Sequence, residues 1–268
     1  MGKAAALLAF MLLSAACLAA NVTGFEDAGF IVVVTVNGDG TAHVEEYVHL
    51  IVSPAMADLY KESLRSTRLT IDEWGRTTGS QNLRYHVLGG NATPVNTRVF
   101  PQPLQRLTYV EKSLAVITVE YDTSAPIFTL SELGPRRTAY TLVPETLSFE
   151  NAPEGQILPE GGVLVIRTFP GAIVDVARTF PRPTSQAGGE GGTEQEYAWN
   201  ATGGAIPLQP FVFGFQTEQS IDDEVNEFFA AVQTQATVLV RSNYGLLAGI
   251  IVLILAVMFF ALKRAKAI

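Results

Sequence analysis

The feature that most constrains this chain lies near its C-terminal end, where Gly245 to Leu262 carries no charge, no Asn, Gln or Pro, and no polar group beyond the backbone. A bilayer core of ~30 Å takes about 20 helical residues at 1.5 Å rise each. In lipid every peptide group must be bonded internally, and a helix does this within one segment. A buried core helix would normally keep a polar face, and this run has none. Residues 244–262 are therefore expected to form a transmembrane helix.

The opposite end has the pattern of a secretory signal peptide. Lys3 is followed by an apolar stretch from Ala4 to Leu13, then by small residues up to Ala20. Residues 1–20 are expected to be removed, taking with them Cys17, the one cysteine. The alternative is an uncleaved first membrane helix. Charge sets the orientation. All 26 acidic residues fall between Glu26 and Glu227, and 14 of the 18 Lys and Arg lie in 21–243, a net −12 for that part. Lys263, Arg264 and Lys266 make residues 263–268 a basic tail, and positive charge beside a membrane helix stays cytoplasmic. The large domain is then outside. Its lack of cysteine and its acidity point to a prokaryotic cell envelope, since exported eukaryotic domains usually carry disulfides.

Between the ends the chain reads as short strands separated by turns. Phe30 to Val36 is a β-branched run, Asn37-Gly38-Asp39-Gly40 supplies turn residues, and Thr41 to Val52 alternates. On that second strand Glu46 shares a face with Val44, Val48, Leu50 and Val52. Ser53-Pro54 opens a helix to about Arg65. Residues Leu69 to Gly79 read as turns around Trp74. Leu83 to Leu88, Arg98 to Phe100, Leu114 to Tyr121, Thr138 to Val143 and Thr146 to Phe149 read as strands. So do Val163 to Phe169, Ala172 to Ala177, Glu196 to Trp199 and Phe211 to Phe215. The segment 151–162 is dense in Pro, Gly and Glu and marks a candidate internal boundary. The expected fold is mainly β: a β-sandwich-like exported domain of one or two subdomains, 21–150 and 151–218, with a juxtamembrane helical stalk over 219–243 and one C-terminal transmembrane helix. In the stalk, Ile221, Val225, Phe228, Phe229 and Val232 form an apolar stripe.

Few residues suggest chemistry. Reading 37–46 as a calcium loop puts Thr35 where the first Asp ligand belongs, so a hairpin turn is expected instead. His43 and His49 would stand about 20 Å apart along one strand and cannot share a metal. No Gly-x-Ser-x-Gly, His-Glu-x-x-His or phosphate-binding glycine loop occurs. No enzyme activity, cofactor or metal is expected, and an acidic domain excludes nucleic acid. Three sequons, at Asn21, Asn91 and Asn200, mark glycosylation positions if the machinery exists. Gly245 and Gly249 fit the small-xxx-small spacing of associating membrane helices. Phe211, Phe213 and Phe215 fall on one strand face, as core or as an aromatic binding face.

The hairpin from Val32 to Glu46 resembles a large group of prokaryotic membrane proteins of unknown function. The matching positions are Asp39, Gly40, Val44 and Glu45 or Glu46. The resemblance implies an exported β-domain next to a membrane helix and no particular activity. The long glycine-rich cytoplasmic end of that group is absent. The expected role is a single-pass envelope protein presenting an acidic β-rich binding or structural module. Its partners would be the bilayer and a second copy or membrane protein, through stalk and transmembrane helix. The alternatives are a hydrolase of envelope polymers, which needs a cleft with two close carboxylates, or a sensory accessory subunit.

Overall fold

The computed structural model describes residues 24–65, 69–90, 93–134, 136–188, 194–218 and 232–234. The chain divides into two compact units, Met1–Glu218 and Gln219–Ile268. The first is mainly β, with several sheets. Of the second, only the helical residues 232–234 are described. Among the described residues no helix is long and apolar enough to cross a membrane, and the run 244–262 lies outside them.

The largest sheet is built around β1 (Phe25–Val36) and β2 (Ala42–Val52). They form an antiparallel hairpin in which Phe30 faces Val48 and Val34 faces Val44. The turn is closed by the Asn37 N–H on the Thr41 carbonyl (2.8 Å) and by the Gly40 N–H on the Asn37 carbonyl (3.0 Å). Asp39 Oδ1 accepts from the Thr41 N–H and hydroxyl, which holds the Asp39 carboxyl below its ordinary pKa. Beyond β2 come β3 (Val95–Pro101), β4 (Gln105–Arg106) and β5 (Ser113–Asp122). β5 pairs with β2, and both β3 and β4 pair with β5.

On its other edge β1 pairs in parallel with β10 (Gly162–Thr168), Phe30 opposite Gly162 and Thr35 opposite Arg167. β13 (Gln195–Asn200) and β12 (Ser185–Gly188) extend the sheet outward from β10. Strands from both sides of 151–162 thus share one sheet. That segment itself holds β8 (Glu150–Ala152) and β9 (Gly155–Leu158), which form a three-stranded sheet with β14 (Ile206–Pro207). A four-stranded sheet in the order β11 (Ile173–Val174), β15 (Gly214–Glu218), β7 (Arg137–Leu142), β6 (Phe128–Gly134) completes the strands.

The core lies against one face of the large sheet. Phe30, Val32, Val34, Val44, Leu50 and Ile117 are at most 2% exposed and pack with Leu164, Trp199, Phe128 and Phe215. Two helices add to it. α1 (Pro54–Arg65) begins at Pro54 as the sequence indicates and buries Tyr60, whose hydroxyl donates to the Gln102 carbonyl (2.8 Å).

α2 (Ile71–Thr78) replaces the turns expected there. Thr70 and Glu73 make a reciprocal capping box, Gly79 ends the helix in the left-handed region, and Ile71 and Trp74 are buried. Eight residues are too few for periodicity to stand out, and the cap decides the matter. Leu83 to Leu88 is not a strand; it makes turns and one isolated bridge, Val87 to Leu147. Thr146 to Phe149 is likewise not a strand: Thr146 ends a 3₁₀ turn, Pro144–Thr146, and Leu147 makes the isolated bridge to Val87. Of Phe211 to Phe215, only Gly214 and Phe215 enter β15.

Two close approaches depend on glycine. Gly29, at the bulge in β1, has φ +133° and lies where a Cβ would meet the Gly161 carbonyl oxygen at 2.6 Å. Gly40 has φ +83°, and a Cβ there would come within 2.6 Å of both Leu130 Cδ1 and the Phe128 carbonyl oxygen. That oxygen belongs to β6, so the hairpin tip is fitted against the second sheet. Gly40→Ala is expected to cost about 1–3 kcal/mol, from left-handed strain and displacement of β6. The urea midpoint at unchanged m-value measures it.

Candidate functional site

Among the described residues Glu46, His86 and Tyr121, all at most 1% exposed, form a buried polar cluster. β2 places Glu46 on the core face because it is in phase with Val44 and Val48. β5 places Tyr121 on the same face in phase with Val119, and the turn after α2 brings His86 between them. Glu46 Oε1 accepts from the His86 backbone N–H (2.8 Å) and the Tyr121 hydroxyl (2.5 Å). Glu46 Oε2 lies 2.8 Å from His86 Nδ1. A carboxylate can only accept, so Nδ1 carries the proton; this assignment follows from the network. The Tyr121 oxygen in turn accepts from the Val87 N–H at 3.2 Å. Burial, and then the Glu46 charge and hydrogen bond, push the Tyr121 hydroxyl well above its ordinary pKa. The imidazole stacks on Phe30, with centroids 4.7 Å apart, and tilts against Phe149 at 5.2 Å. Its Nε2 has no hydrogen-bond partner among the described residues.

This cluster explains why 83–88 is not a strand. Its backbone N–H groups at His86 and Val87 are satisfied by side-chain oxygens from β2 and β5 rather than by a neighbouring strand. No substrate can reach groups so fully enclosed. The cluster ties the segment after α2 to the large sheet. Glu46 carries a readable signal, an acid in the apolar phase of a strand. His86 and Tyr121 carry none, because only the fold brings them together.

A second, surface cluster joins β2 to β5. His43 Nδ1 lies 2.7 Å from Asp122 Oδ1, and Asp122 Oδ2 accepts from Asn96 at 2.7 Å. The Asn96 hydrogen bond, and then His43, lower the Asp122 pKa. His49 stands farther along the same face of β2, where partial burial lowers its pKa.

Among the clefts on the surface of the described residues, two lie beside the elements already named. One, of about 660 Å³, is lined by Leu69, Ile71, Tyr85, Val99 and Phe100 with Arg98. The other, of about 480 Å³, is lined by Asp27, Glu150 and Glu160 beside Gly29 and Gly161. Asp27 is held by the Ser80 hydroxyl. Among the described residues no group of three or more His, Cys, Asp or Glu is placed to hold a metal.

Of the residues singled out by the sequence, Asn21, Asn91, Gly245 and Gly249 lie outside the described residues. Asn200 is exposed at the end of β13, where its Oδ1 accepts from the Thr202 N–H (3.0 Å). Phe211, Phe213 and Phe215 are corrected as a binding face: they are 1%, 1% and 2% exposed. They do share a side, but that side is the core. Phe211 and Phe213 pack on Trp199, and Phe215 stacks on Tyr140 at 4.7 Å. An aromatic triplet at strand spacing gains more from burial than an exposed platform could retain. No protein-family model and no curated protein matches this chain.

Tyr121→Phe leaves the Val87 N–H without its acceptor and Glu46 short of one donor, so it is expected to destabilise the protein by about 1–3 kcal/mol, read from chemical denaturation. For Asp122, a folded pKa below the unfolded one means that its contribution is complete above about pH 4 and is lost as pH falls through the folded value. The stability gap between the native protein and Asp122→Asn should therefore narrow as the pH is lowered from neutrality towards about 3; urea midpoints across that range test it.

Proposed function

We propose that this protein is a single-pass envelope protein that presents an acidic β-rich domain outside the cytoplasmic membrane as a binding or structural module. The observation that carries the reading is the charge-free run Gly245 to Leu262 followed by Lys263, Arg264 and Lys266, set against a net −12 in 21–243. The signal-peptide pattern of 1–20 supports export, and residues 219–243 would serve as a helical stalk. The several sheets around one apolar core support a sandwich-like domain. The chain divides after Glu218, and the proposed stalk is taken to begin at 219. A module of this kind acts by holding a surface in place. The sealing of the Glu46 cluster favours such a role over catalysis. Lateral association in the membrane would use the face of Gly245 and Gly249.

The topology is tested with tags at each end of the mature chain and protease added to intact cells. Loss of the β-domain with retention of a protected fragment bearing the C-terminal tag is the expected result. Recovery of the full-length chain in the fraction that does not sediment with membranes, without detergent, would overturn the reading.

A further inference from the structure

Of the three sequons, Asn200-Ala201-Thr202 is the one that falls whole within the described residues. It begins at the last residue of β13, where Tyr197 and Trp199 are buried and Asn200 is exposed. The alternation runs on past the strand, with Ala201 at 0% exposure and Thr202 exposed. Two sets of hydrogen bonds fix this arrangement. The Trp199 indole N–H donates to the Pro181 carbonyl (2.8 Å), which holds the residue before the sequon inward. The Ala201 N–H donates to the Gly162 carbonyl (2.9 Å), and the Ala201 carbonyl accepts from the Gly161 N–H (3.3 Å). With the middle residue locked to the sheet, the asparagine and the threonine on either side of it are both left to solvent.

The carboxamide is also oriented. Its Oδ1 accepts from the Thr202 N–H (3.0 Å), an Asx turn that folds Asn200 against the residue bearing the hydroxyl. Only the oxygen of an amide can accept, so the donor fixes which atom is which, and Nδ2 lies on the other side of Cγ. Neither Nδ2 nor the Thr202 hydroxyl has a hydrogen-bond partner among the described residues. The space beyond is open: a Cβ placed at Gly203 or Gly204 would meet no atom within 4 Å.

We infer that Asn200 carries an N-linked saccharide. The donor class is an oligosaccharide joined through phosphate to a membrane polyprenol, and a membrane transferase moves it on the outer side. This rests on the export reading above. Nδ2 attacks the anomeric carbon, and the C–N bond forms as the anomeric C–O bond to phosphate breaks. The phosphorylated polyprenol leaves with that electron pair, and the nitrogen gives its proton to a base of the transferase. Nothing is oxidised or reduced. The chain supplies the two groups that the sequon rule requires, the amide nitrogen and the hydroxyl two residues on.

The test is glycopeptide mass spectrometry on the full-length chain, isolated from the membranes of its own cells. A saccharide adduct on Asn200 is expected. Asn200→Gln and Thr202→Ala should each abolish it, and Thr202→Ser, which keeps the hydroxyl, should retain it. A second sequon, made by Glu154→Asn with Gln156→Thr in the exposed β8–β9 turn, reports whether the domain reaches a transferase. An adduct there beside an unmodified Asn200 overturns the inference and leaves export standing. No adduct at either position overturns it too, and the protease assay then decides export separately. An adduct that survives Asn200→Gln, or one confined to Asn21 or Asn91, is equally fatal to it.

Discussion

The molecule depends on β1 having both of its edges hydrogen-bonded. One edge is taken by β2, its neighbour in sequence, and the other by β10, more than a hundred residues away. The hairpin is local and forms at low entropic cost. The parallel pairing is not local, and it draws the second half of the chain onto the sheet begun by the first. A strand so enclosed has no free edge, and β3 and β12 are left to terminate the sheet.

The fit around β1 explains where irregular backbone is tolerated. The bulge at Gly29 lets β1 pass close to Gly161 at the entry to β10. The turn at Gly40 lets the hairpin tip reach β6. On the core side, the Glu46 carboxylate gathers three donors and so replaces a strand with an irregular segment carrying His86 and Val87. A buried carboxylate is tolerated because both of its oxygens are hydrogen-bonded, Oε1 twice and Oε2 once. The proposed reading of the domain as a surface-presenting module draws support from this: the most elaborate polar cluster among the described residues is turned inward.

Much of the strand pattern was legible in the sequence. The alternation from Ala42 to Val52, the Asn-Gly-Asp-Gly turn and the start of α1 at Pro54 all follow from local residue chemistry. The differences have two causes. At Leu83 to Leu88 and Phe211 to Phe215 the apolar residues were visible, but their burial is satisfied by turns and bridges rather than ladders. At α2 the Thr70–Glu73 capping box outweighed a segment that looked like turns. Glu46 could be seen as out of place on its strand, yet its partners lie 40 and 75 residues away and have no local mark.

The sequence by itself determined the charge asymmetry, the two apolar ends and the β-rich middle, because each depends on composition or on spacing within a few residues. Tertiary structure alone decided that β10 lies beside β1, that Phe211, Phe213 and Phe215 face inward, and that Glu46, His86 and Tyr121 meet in one buried cluster. Those outcomes depend on which distant surfaces meet, and the pairing of distant strands leaves no local pattern in the chain.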